Sequence, residues 1–358
     1  MKVLILTWSY GAGHTIASTT LSAYYFSKWH EVEVLDIASF LSHWFGNFTK
    51  QYYNHFCHEF PSAWKYTDKV LATKTVLNFM HAIPTPIFQE RFDEYMSSYS
   101  PDIIIDVFPW WSIFLHQYYE KNKKKSLLWI MITDSITIHP FWYANIAKYT
   151  DVFFVIDDFS NVILRKLLKK IPVDVVTSFF PIEKHYFITK KKISNKNIVI
   201  VLSWLKYSFV KVFLEQMKDS DRAITIVKAR NSWAFKKLQD LFLSQANYTF
   251  IDYLPIRDHL QDIDIIIWKP GGAIMSECIA TDTVLLIPEY FPGQEEWNMQ
   301  LIEKIRLWVY EPDPEKMSLL LKNTDWDTYI WSREYKKSDT LDIIYRRLIW
   351  SELIKNPK

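Results

Sequence analysis

Short apolar runs, each followed by a stretch long enough for a helix, recur along this chain and constrain its fold more than any other feature. Val3–Leu6, Val32–Ile37, Ile103–Val107, Leu127–Thr133, Val152–Ile156 and Val173–Val176 read as strands in the first half. Ile198–Leu202, Ala223–Val227, Tyr248–Ile251, Ile263–Trp268 and Val284–Ile287 repeat the pattern in the second. Strands alternating with helices imply an α/β fold with a parallel sheet covered on both faces. Between the two sets lies Thr189–Asn197 (TKKKISNKN), polar, basic and non-periodic, which predicts a domain boundary. A length of 358 residues also suits two domains better than one. The expected division is 1–189, then 198–338, with 339–358 as a last helix. That helix, over Thr340–Ile354, carries Leu341, Ile344, Leu348 and Ile349 at helical spacing and is expected to pack back on the first domain. A helix is also expected over His14–Lys28, and a long aromatic helical region over Phe40–Tyr99, broken by Pro61, Pro84 and Pro86.

Charge and cysteine content exclude several classes. A formal net charge of +2 gives no basic surplus for wrapping nucleic acid, so no nucleic-acid partner is expected. Two cysteines far apart in sequence, Cys57 and Cys278, do not make a disulfide framework and suit a reduced compartment. No apolar run reaches the roughly 18 residues needed to span a bilayer. The apolar stretch at Met1–Thr7 is too short for a signal-peptide core, so a cytoplasmic protein is expected.

Glycine appears only 6 times, where roughly 7% of residues is usual. Gly11 and Gly13, Gly271 and Gly272, and Gly293 fall in short segments. So sparse a chain keeps glycine where backbone must approach a ligand. Lys269–Glu277 (KPGGAIMSE) follows an apolar strand and opens a helix, so its free N–H groups and the positive helix end form an anion site. Glu277, two turns into that helix, can accept two hydrogen bonds from a ribose diol. Such a turn can also be only a tight connection. Phe291–Asn298 (FPGQEEWN) sets Gln294 and Glu295 at a helix start, an amide and a carboxylate suited to sugar hydroxyls, or an ordinary cap. At the front, LTWSYGAGHTIAS places a glycine loop after the first strand and His14 at the helix start. It lacks the third glycine of a dinucleotide fingerprint, which argues against nicotinamide or flavin. Histidine ionises near neutrality and can act as a general base, or it can be structural.

Taken in order, these segments resemble glycosyltransferase family 28, most closely its diacylglycerol-sugar branch of monogalactosyldiacylglycerol synthases and processive diacylglycerol glucosyltransferases. YNHFCHEFPSAWKY (Tyr53–Tyr66), TDSITIHPFW (Thr133–Trp142), Phe180–Phe187 and VKARN (Val227–Asn231) are similar to further elements of that family. The resemblance implies a glycosyltransferase-B fold, two doubly wound Rossmann-like domains facing a central cleft, with acceptor on the first domain and nucleotide sugar on the second. It implies Gly271, Gly272 and Ala273 at the diphosphate, Glu277 at the ribose, Gln294 and Glu295 at the sugar, and Asn298 supporting the loop. Gly11, Gly13 and His14, with the His139 and Trp142 segment, would face the acceptor. His14 is the candidate base and Asp134 its competitor. The implied reaction is inverting transfer of a hexose from UDP-glucose or UDP-galactose to a membrane lipid, diacylglycerol, with no cofactor or metal, at the cytoplasmic membrane face. The alternatives are N-acetylglucosamine transfer to a polyprenyl-linked peptidoglycan precursor, or an inert UDP-sugar-binding protein. The last is suggested by departures: SWLKYS (Ser203–Ser208) replaces a glycine-rich loop, leaving Ser203 and Lys206 for the donor, and Ile274 replaces a threonine.

Asp262 and Asp264 match a D-x-D motif but border a buried strand, so they read as structural. His55 and His58 lack a third metal ligand. Lys121–Lys125 reads as a solvated turn. The aromatic stretch Phe40–Phe60 suits an interfacial helix in lipid headgroups or simple core packing.

Overall fold

The computed structural model describes residues 1–9, 12–41, 66, 70, 73, 75–76, 86–134, 138–178, 180–188, 190, 193–194, 196–203, 205–229, 231–290, 295–305, 308–326 and 340–355. The aromatic stretch beyond Leu41, with His55 and His58, lies outside them. The chain divides into two compact units. One takes Met1–Glu183, Pro292–Trp297 and Ser338–Lys358; the other takes Lys184–Phe291 and Asn298–Lys337.

In the first unit the order is β1 (Lys2–Thr7), α1 (Ala12–Ser27), β2 (Glu31–Asp36), α2 (Ile37–Leu41), α3 (Pro86–Tyr99), β3 (Ile103–Asp106), α4 (Trp111–Lys121), β4 (Leu127–Ile132), β5 (Val152–Val155), α5 (Asp158–Leu167) and β6 (Asp174–Thr177). All pairings are parallel, in the order β2-β1-β3-β4-β5-β6. β3 and β4 are buried along their whole length, which is why they read as unbroken apolar runs. One core cluster joins Leu4, Ile104, Ile130 and Phe153 of the sheet to Phe92, Trp111 and Leu164 of α3, α4 and α5. Pro86 opens α3 rather than breaking it, because the first helical position needs no N–H.

The second unit contains β7 (Asn197–Val201), α6 (Tyr207–Met217), β8 (Ala223–Val227), α7 (Ser232–Phe242), β9 (Tyr248–Ile251), α8 (Ile256–His259), β10 (Ile265–Ile267), α9 (Gly272–Thr281), β11 (Val284–Ile287), α10 (Glu296–Ile305) from Asn298 onward, β12 (Trp308–Tyr310) and α11 (Pro314–Asn323). Its sheet is also parallel, in the order β12-β11-β10-β7-β8-β9, the doubly wound arrangement with its switch between β7 and β10. The α/β expectation with two doubly wound sheets is met. Strand β10 is shorter than the apolar run Ile263–Trp268, because Asp264 is spent just before it. Its buried carboxylate accepts the N–H groups of Lys196 and Asn197, both at 3.1 Å, which fixes the start of β7.

The segment after Glu183 is already tied into this second unit. The Ile188 N–H donates to the Ala280 carbonyl at 2.9 Å, and the Lys190 N–H to Asp282 at 3.1 Å. The Lys190 ammonium donates to the Leu260 carbonyl and the Thr283 hydroxyl, both at 3.0 Å. The last helix, α12 (Thr340–Lys355), belongs to the first unit, where Tyr345 packs edge-on to Tyr24 and Tyr25 and Arg347 pairs with Asp174.

Candidate functional site

Ligands of doubly wound sheets sit beyond the carboxyl ends of the strands, where strand order reverses. In the first unit that point lies between β1 and β3, and His14 is there, in the first turn of α1. Its Nδ1 lies 2.8 Å from the Val107 carbonyl, just past β3, and 3.2 Å from the Thr133 hydroxyl, just past β4. A carbonyl only accepts, so Nδ1 carries the proton and the Nε2 lone pair is left to act as a base. Desolvation by burial lowers the His14 pKa below its ordinary value, against the opposing pull of Asp134 and the Val107 carbonyl. The positive end of α1 adds to the preference for a neutral ring.

Asp134 is committed differently. Its Oδ2 accepts the indole N–H of the buried Trp142 at 3.0 Å, so it acts on His14 through its charge while holding Trp142. His139 caps the short turn Pro140–Trp142 by accepting the Phe141 N–H at 3.3 Å, and its ring stacks on Phe141. Outside its own helix, nothing among the described residues lies within 4 Å of where a Cβ on Gly13 would stand. Gly11 lies outside the described residues. An aromatic rim was not read from the sequence: Trp8 lies 4.4 Å from Phe108 and 5.6 Å from Trp110, and Phe108 meets the His14 ring edge-on at 5.1 Å. The dense FPWW run Phe108–Trp111 was its only sequence signal.

In the second unit the switch lies between β7 and β10, and the helices following those strands are α6 and α9. Two helix starts of this unit carry side-chain caps, Asn231 accepting from Ala234 N–H and Asp313 from Glu315 and Lys316 N–H, while Pro255, before α8, makes none. Gly271 and Lys206, before α9 and α6, make no such bond. Among the described residues no side-chain cap meets the first-turn N–H groups of Gly272, Ala273 and Ile274, the kind of helix start that suits an anion. The turn is braced from behind, where buried Asn298 donates from Nδ2 to the Pro270 carbonyl at 2.6 Å. Ser203 joins the two switch loops by accepting the Trp268 indole N–H at 2.9 Å. Lys206 is turned to Glu289, its N–H bonding that carboxylate at 2.8 Å and its ammonium lying 3.5 Å away.

Glu277 is 5% exposed, and its Oε1 accepts from Arg257 Nε at 2.7 Å. Arg257 comes from α8, after β9, and its guanidinium also lies over the Tyr186 ring. The sequence reading missed Arg257; a cation in PIRDHL, twenty positions before Glu277, has no spacing signature. Glu295 is buried rather than projecting into solvent, and Gln294 lies outside the described residues. Among the described residues, no group of three or more His, Cys, Asp or Glu side chains is placed to hold a metal ion.

Two parallel doubly wound units are the architecture of the glycosyltransferase-B class. The solved glycotransferase of kitacinnamycin superposes with a TM-score of 0.61 at 10% identity, covering 97% of this chain and 99% of its own. Arabidopsis thaliana UGT89C1, solved in complex with UDP, gives 0.59 at 12% identity, with 97% and 99% covered. The family profile of monogalactosyldiacylglycerol (MGDG) synthase matches residues 14–159. A processive diacylglycerol beta-glucosyltransferase from Bacillus pumilus (strain SAFR-032) is 26% identical over 336 residues, 84% of this chain and 81% of its own length. The resemblance read from the sequence holds, and the chain is an enzyme of the glycosyltransferase class.

Proposed function

We propose that this enzyme moves a hexose from a UDP-sugar to diacylglycerol at a membrane surface, with inversion at the anomeric carbon. The observation that carries the chemistry is the His14 ring, held neutral with Nδ1–H on Val107 and Nε2 available. The lipid acceptor is supported by the name of the Bacillus pumilus relative, which aligns along most of both chains. In the proposed step the acceptor O–H bond breaks as its proton passes to His14 Nε2. The oxygen attacks the anomeric carbon, and the carbon–phosphate oxygen bond breaks with its electrons leaving on UDP. The N–H groups of Gly272, Ala273 and Ile274 would stabilise that leaving charge, so the protein itself supplies the electrostatic help.

In this reading the first unit takes the acceptor and the second the donor. Glu277, oriented by Arg257, takes the ribose, and Ser203 lies beside the diphosphate. Gly13 leaves room for the acceptor, and Trp142 walls the site. No helix among the described residues is long and apolar enough to cross a membrane; the proposed lipid contact is peripheral, at the cytoplasmic face. The test is the anomeric configuration of the product together with His14→Ala. An α-linked UDP-hexose should give a β-glycoside, and the variant should lose on the order of 10²–10⁴-fold in kcat while binding UDP nearly as before. An α-glycoside, or full activity in the variant, would overturn the assignment.

A further inference from the structure

Asp106 ends β3 one residue before the carbonyl that holds His14, and its side chain is fully buried. Its Oδ1 accepts the Phe108 N–H at 2.9 Å, closing a turn around Val107. The Val107 N–H is fixed to the Leu6 carbonyl at 3.0 Å, so this peptide is held from two sides. Asp106 Oδ2 has no hydrogen-bond partner among the described residues. A buried carboxyl with one bonded oxygen and one orphan is costly and calls for an explanation in this setting.

We infer that Asp106 is the positioning residue for His14: its turn aims the Val107 carbonyl at Nδ1 and sets Phe108 edge-on to the ring, so that Nε2 carries the lone pair. Both contacts of the imidazole with this loop, the 2.8 Å bond to Val107 and the 5.1 Å ring contact with Phe108, come from the two residues the turn encloses. Burial pushes the Asp106 carboxyl well above the ordinary carboxylate range, with only the Phe108 N–H opposing it. Asp134 is the carboxylate whose charge acts on the His14 ring. The turn requires an acceptor oxygen at this place. The inference rests on the reading of His14 as the base, but the ring's tautomer can be measured independently of turnover.

The experiment uses the full chain labelled with 15N-histidine, comparing wild type, Asp106→Asn and Asp106→Leu. Asparagine keeps the acceptor oxygen without the acid; leucine is close in shape and removes the acceptor from a buried position that tolerates apolar groups. Long-range 1H–15N spectra should show His14 protonated at Nδ1 in wild type and Asp106→Asn. In Asp106→Leu the Nδ1–H form should give way to a mixture, with kcat down on the order of a hundredfold and UDP affinity unchanged, as expected for a misaimed base. Losing the Val107 acceptor should also move the acid limb of the pH–rate profile to lower pH, since that carbonyl favours the protonated ring. An unchanged His14 tautomer in Asp106→Leu overturns the inference, as does an Asp106→Asn variant with an altered tautomer. If leucine prevents folding, Asp106→Val is read in its place, and the same outcomes apply. A shifted tautomer with no effect on turnover would support the positioning and refute His14 as base, which keeps the two failures apart.

Discussion

Replacing Arg257 with methionine should destabilise the second unit through the carboxylate it leaves behind. Arg257 and Glu277 are 2.7 Å apart, with side chains 19% and 6% exposed, so Glu277 has little water to turn to once the cation is gone. Removing one member of a buried pair costs about 3–5 kcal/mol, mostly the uncompensated charge that remains. Arg257 is the more open partner and water can follow the truncated side chain, so the lower end, about 3 kcal/mol, applies. At about 2–4 °C per kcal/mol for units of this size, the first melting transition should fall by about 6–12 °C. Calorimetry of Arg257→Met, Glu277→Gln and the double variant is the assay. The double variant should recover most of the loss, because neither charge is left unpaired, and Glu277→Gln should also weaken UDP binding in a titration. A shift of about 1 °C or less in Arg257→Met, or strict additivity in the double variant, would show that the two groups do not act as a pair.

Three further outcomes follow from the same geometry. His14 must be neutral to accept a proton and burial lowers its pKa, so kcat/KM should fall as pH drops through a value below the ordinary 6.5; a limb above 6.5 would contradict this environment. Asn298→Leu should weaken UDP binding about tenfold or more by leaving the Pro270 carbonyl buried and unpaired behind the glycine turn, and unchanged affinity in a titration would remove Asn298 from the support of that turn. Gly13→Ala should raise stability by about 0.5–1 kcal/mol, since a helix favours alanine and nothing crowds the new methyl, yet lower turnover if an acceptor packs there; equal turnover would leave that space unused.

The parallel sheets were legible because strands buried on both faces must be written as apolar runs. Ala223–Val227, Tyr248–Ile251 and Val284–Ile287 match their strands to the residue. Edge strand β12 was not, since its three residues are too few to mark a strand by themselves. Ile37, read as the end of a strand, starts α2 because Asp36 bends the chain by accepting the Ala38 N–H at 3.0 Å. In the site, glycine scarcity located the start of α1 at Gly13 and the turn before α9 at Gly271. It could not show that His14 is held by a backbone carbonyl 93 positions away, or that Glu277 is paired with Arg257. Those bonds are made by topology, which brings the ends of β1, β3 and β4 together, and no local spacing encodes them.

The most direct test is mass spectrometry of lipid products after incubating the purified protein with mixed micelles of diacylglycerol and, in parallel, UDP-glucose or UDP-galactose. The account predicts a lipid heavier by one hexose with at least one donor, and its loss in His14→Ala. No hexosylated diacylglycerol with either donor, from protein that still binds UDP in a titration, would contradict it.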